Sequence, residues 1–164
     1  GKTTLLNMIG AVEPVDSGKI TVDDIDITDK KNHRMFFSEH VGFLFQNFAL
    51  VENKTVKQNL EMIRKSCRSE ISMESALEQV GMNGKENNKI YQLSGGEQQR
   101  IALARLMMKK CSLILADEPT GSLDPENAKM VIAILKKLNE QGKTIIMVTH
   151  DNSIIDDYMH VIDL

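Results

Sequence analysis

Two short apolar runs without polar interruption, Leu113–Ala116 and Ile145–Val148, constrain this chain more than any other feature. Runs this short suit strands rather than helices, and unbroken ones suit central strands of a parallel sheet covered on both faces. Between them, Ala128, Val131, Ile132, Leu135 and Leu138 fall on one face of a long helix. Strand, crossover helix and strand form a βαβ unit, and the return over the sheet makes the pairing parallel. The chain is therefore expected to be an α/β protein with a mainly parallel sheet.

The rest of the chain divides by pattern. Lys2 to Ile9 reads as a short helix, broken by Gly10 and Pro14. Lys19 to Ile27 alternates but slips at Asp23-Asp24, which predicts two short strands around a tight turn. Val41 to Phe45 is expected to be a buried strand ending at Gln46. Beyond it come helices, over Thr55–Lys65 and Ser72–Val80, the second with Met73, Ala76, Leu77 and Val80 on one face. Residues 83–88 read as a polar loop. Gly95–Lys110 is apolar on more than one side and is expected to be a well-buried helix. Val161–Leu164 is expected to be a further strand. The ten methionines read as core filler, and His33, His40 and His160 as lone histidines without partners, in solvated or capping roles.

With 164 residues the chain is one ordinary domain. Its net charge of −3 argues against electrostatic capture of nucleic acid. No apolar run approaches the ~18 residues of a membrane span, so a membrane role requires a partner. Cys67 and Cys111 have neither metal-ligand spacing nor the number for a disulfide framework, which fits a reducing, cytoplasmic compartment. The chain opens on Gly1-Lys2-Thr3-Thr4, in the interior of what reads as a motif. It is expected to be an N-terminally truncated piece whose first strands are missing.

That opening matches the end of the phosphate loop G-x-x-x-x-G-K-[ST]. In such loops backbone N–H groups and a helix N-terminus cradle phosphates. Lys2 would reach the β- and γ-phosphates and the Thr3 hydroxyl would bind Mg²⁺. A GKT triplet alone is common by chance. Asp117-Glu118 supports it, because a charged pair closing a buried strand must be exposed or compensated. The plainer reading is a surface turn, since Pro119 and Gly121 follow. Leu93-Ser94-Gly95-Gly96-Glu97-Gln98-Gln99-Arg100 is the most specific stretch. Ser94 and Glu97 fit a capping box, yet a cap does not require two glycines, each about 1 kcal/mol worse than Ala inside a helix. Glycines there admit a second backbone or a phosphate. Asp124-Pro125 reads as a helix N-cap with Pro in the first turn.

This octapeptide resembles the signature of the ABC ATPase family, and the family's other motifs follow in order over essentially the whole chain. Gln46 stands at the Q-loop position, Asp117-Glu118 closes the Walker B strand, Ser122-Leu123-Asp124 looks like the D-loop, and His150 looks like the switch histidine. GFLFQNFAL and LILADEPTGSLD are most similar to the macrolide-exporter and lipoprotein-releasing type. The stretch from KIYQLSGGEQQR to the Walker B strand is similar to bacteriocin-export ATPases.

The resemblance implies a P-loop NTPase (RecA-like) core, residues 1–46 and 108–164, with a helical subdomain at 47–107. It implies ATP and Mg²⁺ as cofactors. Gly1, Lys2, Thr3, Thr4, Gln46 and Asp117 would bind nucleotide, with Thr3, Gln46 and Asp117 at the metal. Glu118, Gln46 and His150 would be catalytic. Ser94, Gly95, Gly96 and Asp124 would complete the site of a second copy or paired nucleotide-binding subunit. The helical part would dock a membrane permease, at the inner face of the cell membrane, to power export. A nucleotide switch acting on a membrane or cell-wall partner without transport is the alternative. DNA-organising relatives would separate Gln46 and Ser94 by a long coiled coil, whereas 47 residues lie between them here.

Overall fold

A computed structural model describes residues 1–121, 123–155 and 159–162. Helix α1 (Lys2–Ile9) is followed by the hairpin β1 (Thr21–Val22) and β2 (Ile25–Asp26). Asp23 and Asp24 both have positive φ, 49° and 62°, the backbone of a two-residue turn whose twist suits an antiparallel pair. A short helix α2 (His33–Met35) runs on as one wide turn through His40 into β3 (Val41–Leu44). Then come α3 (Val56–Glu61), α4 (Met73–Gln79), α5 (Gly95–Met108), β4 (Leu113–Asp117), α6 (Pro125–Glu140) and β5 (Thr144–Val148).

Strands β3, β4 and β5 form a parallel sheet in that order, in register Leu44↔Ala116↔Met147. Successive side chains of a strand point to opposite faces, so the central β4 feeds two cores. Ile114 and Ala116 pack into a large core with α4, α5 and α6. Leu113 and Leu115 pack into a smaller one with Leu6, Ile27, Phe36 and Val41. Burying a side chain the size of Leu stabilises by roughly 1.5–3 kcal/mol, which explains why β4 tolerates no polar residue before its last position.

Several expectations need correction. Among the described residues, Leu113–Ala116 has a strand on both sides. β5 has β4 on one side alone among the described residues, and it is half-buried. The helix expected over Thr55–Lys65 stops at Glu61, where the Arg68 guanidinium takes the carbonyls of Glu61 and Ile63 at 3.2 and 2.9 Å. The buried face of α6 is Val131, Ile134, Leu135 and Leu138, with Ile132 only half-buried. Val161 and Ile162 are exposed and in no strand. Residues 163 and 164, with Ser122, lie outside the described residues. Met82, Met107 and Met108 are core, but Met35 and Met62 are exposed.

Two of the three histidines have partners. His33 Nε2 donates to the Ile27 carbonyl at 2.8 Å. His40 Nδ1 lies 3.0 Å from Asp23 Oδ2, and the Ser112 hydroxyl donates to the same oxygen. These two bonds hold the Asp23 carboxyl below the usual carboxylate range, Ser112 contributing most. The cluster fastens the hairpin to the amino-terminal ends of β3 and β4, away from the site described next. Cys67 and Cys111 are free and buried. No helix among the described residues is long and apolar enough to cross a membrane.

Candidate functional site

In open parallel sheets ligands bind beyond the carboxyl ends of the strands. Here the register brings Gln46, just past β3, Asp117, at the end of β4, and His150, just past β5, to one end of the sheet. Helix α1 begins at the same end. Its Thr3 hydroxyl donates to Asp117 Oδ1 at 3.3 Å across 114 residues of sequence. Gly1 caps α1 with no side-chain bond, so the first N–H groups of the helix stay open to an acceptor. Lys2 is half-exposed and Thr4 exposed beside them.

Glu118 continues β4 by one residue, its N–H donating to the Val148 carbonyl at 2.9 Å. The backbone then turns sharply, with φ 45° at Glu118. Left-handed backbone is unfavourable for a non-glycine residue and is found where surrounding structure holds it. The turn swings the carboxylate across to β5. His150 Nε2 stands 3.4 Å from Glu118 Oε1, and the His150 N–H donates to Glu118 Oε2 at 3.4 Å. The Glu118 side chain is 18% exposed and that of His150 80%, so the carboxylate is sheltered and the imidazole open.

Gly96 and Asp124 meet at Asn127, with Ser94 and Gly95 at the start of the same helix as Gly96. Ser94 caps α5 reciprocally: its hydroxyl accepts from the Glu97 N–H at 3.3 Å, and Glu97 Oε2 accepts from the Ser94 N–H at 2.8 Å. That backbone bond holds the Glu97 carboxyl below its usual range, and Lys85 Nζ lies 3.7 Å from its other oxygen. Gly95 faces open space, with nothing within 4 Å of where a Cβ would stand. At Gly96 a Cβ would stand 3.0 Å from Asn127 Nδ2, so only a bare backbone fits against that amide without displacing it. Asn127 donates to Asp124 Oδ2 at 2.5 Å and accepts from Arg100 Nη1 at 2.8 Å. Asp124 caps α6 through the N–H groups of Asn127 and Glu126 at 3.0 and 3.1 Å. The backbone bond from Asn127 is the largest cause of its lowered pKa.

The ABC transporter family profile matches residues 1–121. The ABC transporter ATP-binding protein YvrO of Bacillus subtilis is 41% identical over 92% of this chain and 69% of its own length. The chain belongs to the ABC transporter ATPase family. The macrolide export ATP-binding/permease protein MacB of Mannheimia succiniciproducens is 37% identical over the whole chain. The chain spans only 27% of that relative's length. The cell division ATP-binding protein FtsE of Mycobacterium tuberculosis is 38% identical over 95% of this chain and 70% of its own. Among solved structures, the dimeric ATP-binding cassette MJ0796 in a post-hydrolysis state with ADP and phosphate superposes with a TM-score of 0.80. It is 34% identical and covers 94% of this chain and 72% of that one.

Direct contacts thus join α1 to the end of β4 and Glu118, just past β4, to His150. The Ser94–Arg100 stretch and Asp124 meet each other through Asn127. The resemblance names neither Asn127 nor Gln99 for a role. Asn127 was legible only as a position in the first turn after the Asp124 cap. Gln99 leaves no signal, because its partner is a backbone carbonyl 20 residues away.

Proposed function

We propose that this chain is the ATP-binding and hydrolysing part of an ABC exporter, working as a nucleotide-driven dimer. The observation that carries the reading is the convergence of Thr3, Asp117, Glu118 and His150 at one sheet end, while Ser94 and Gly95 stand exposed at the start of α5. A site split this way is completed by a second copy facing the first head to tail. The dimeric MJ0796 cassette supports that arrangement.

In this reading the N–H groups of α1 and the ammonium of Lys2 bind the β- and γ-phosphates, with Gly1 and Thr4 beside them. The Thr3 hydroxyl and Asp117 carboxylate are adjacent hard oxygen donors. They suit Mg²⁺, a hard cation that binds through few protein oxygens together with substrate phosphates and water. Thr3, Asp117 and Gln46 would hold it, and when bound it supplies charge neutralisation on the phosphates. Glu118 accepts a proton from a water that attacks the γ-phosphorus as the bond to the bridging oxygen breaks. His150 orients that carboxylate and faces the phosphate. The Ser94 hydroxyl and the bare N–H groups of Gly95 and Gly96 of the facing copy close over the γ-phosphate, with Asp124 beside them. Binding closes the dimer and hydrolysis opens it.

The core is assigned to residues 1–46 and 108–164 and the helical subdomain to 47–107. Between them lies an open cleft of about 470 Å³ whose lining includes Phe37, Phe43, Phe45, Met62, Ile63 and Lys109. It offers a permease helix an apolar floor and an adaptable methionine, which would place the protein at the inner membrane face. The MacB relatives favour export. A second reading, a nucleotide switch on a membrane or cell-wall partner, is favoured by the relative named for cell division. Substrate movement by the protein and its permease in vesicles separates the two.

The site itself is tested by Glu118→Gln in the full-length protein. Turnover is expected to fall on the order of 10²–10⁴, the worth of a general base, while ATP binding persists and the ATP-bound dimer accumulates. Wild-type turnover would overturn the assignment.

A further inference from the structure

Three polar side chains are buried among the described residues: Asn59, Gln99 and Thr120. Asn59 is accounted for locally, since its side chain bonds the Val51 N–H, the Val51 carbonyl and the Thr55 carbonyl. Gln99 and Thr120 are not. Gln99 is 2% exposed, on α5 just beyond the Ser94 cap. Its Nε2 donates to the carbonyl of Pro119 at 2.9 Å. Its Oε1 is buried with no hydrogen-bond partner among the described residues, and so is the Thr120 hydroxyl. Buried polar atoms are nearly always paired, so two orphans, one on Gln99 and one on the residue after Pro119, call for an explanation.

Pro119 follows Glu118 directly. The left-handed turn at Glu118 is held by three restraints: the Glu118 N–H on the Val148 carbonyl, the Gly121 N–H on the Glu118 carbonyl at 3.2 Å, and the Gln99 amide on Pro119. Two belong to the sheet end and the turn itself. The third comes from the helix that carries the signature. That helix also grips the loop after Gln46, where the Arg105 guanidinium takes the carbonyls of Ala49 and Phe48 at 2.5 and 2.9 Å. It is a rigid bar of 14 residues with Ser94 at its tip.

We propose that Gln99 is a positioning residue that couples the two nucleotide sites of the dimer. Contact of one nucleotide with Ser94–Gly96 orients, through Gln99 and Pro119, the Glu118 of the same chain, which serves the other nucleotide. The inference rests on the composite dimer proposed above. When the helix shifts on contact with phosphate, the Thr120 hydroxyl turns to donate to Gln99 Oε1, and the two orphans satisfy each other. A second arrangement of this kind is what coupling requires beyond mere proximity.

The test uses the full-length dimer with Glu118→Gln in one subunit, leaving one working Glu118. Gln99→Met, similar in length but without the amide, is placed either in the subunit with the working Glu118 or in the other. In the same subunit, turnover is expected to fall on the order of 10-fold with the KM for ATP nearly unchanged, the loss that misplacing a catalytic group brings. In the other subunit it is expected to have no effect. Equal loss in both placements would mean that Gln99 merely supports the helix, and no loss in either would mean that it positions nothing; each overturns the proposal. Should Gln99→Met not fold, Thr120→Val replaces it, because that hydroxyl has no hydrogen-bond partner among the described residues and its removal is expected to spare folding. The same one-sided loss is expected, and unchanged turnover overturns the proposal. If a dimer carrying Glu118→Gln in both subunits turns over normally, the site reading fails first and this inference with it.

Discussion

At Thr3 a small exposed hydroxyl does the joining, and its bond to Asp117 links positions 114 residues apart in the sequence. Being exposed, that bond contributes little to folding. Thr3→Val is expected to change stability by no more than about 0.5 kcal/mol, as surface substitutions do, while lowering Mg-nucleotide affinity roughly tenfold through loss of a metal oxygen. Chemical unfolding and calorimetric titration check the two halves, and unchanged affinity would remove Thr3 from the site. The residue types and their order were legible in the sequence: Lys2, Thr3, Asp117 and Glu118 each carry chemistry their neighbours do not need. What was not legible is how Glu118 is aimed. Its left-handed turn and its approach to His150 depend on β4 and β5 being adjacent. The Asn127 amide under Gly96 depends on where α6 crosses α5.

Among the elements, α5 was clearest in the sequence, because its cap is local. Ser94, Glu97 and the glycines lie within one turn, and the structure has both reciprocal bonds. Ser94→Ala is expected to cost about 1 kcal/mol of stability, the usual worth of such a cap, measured by urea unfolding. The cap also has a pH dependence of known sign. The Ser94 N–H depresses the Glu97 pKa in the folded chain. Its stabilisation is therefore complete above the unfolded value near ~4.3 and fades as pH falls through the lower folded value. Glu97→Gln is expected to lack that acid-side loss, and an identical profile would contradict the role. Ends set by distant partners were not legible. α3 stops where Arg68 captures the carbonyls of Glu61 and Ile63, and α5 stops at Met108, where Lys109 Nζ turns to the carbonyls of Phe37 and Val41. The half-buried state of β5 likewise follows from its place at the side of β4, which a four-residue apolar run does not encode.

For the whole molecule, one sheet end gathers Thr3, Asp117, Glu118 and His150, and a second cluster on α5 and α6 offers bare backbone. If the two clusters belong to different nucleotides, each copy supplies half of two sites. The direct check mixes a Lys2→Ala subunit with a Gly95→Asp subunit of the full-length protein and counts nucleotides trapped per dimer. Each homodimer has both sites damaged and is expected to trap none. In the mixed dimer, one site combines an unaltered Lys2 with an unaltered Gly95 from the facing copy, and one trapped nucleotide is expected. A mixed dimer that forms but traps none, as it would if Lys2 and Gly95 of the same chain built each site, would contradict the composite site.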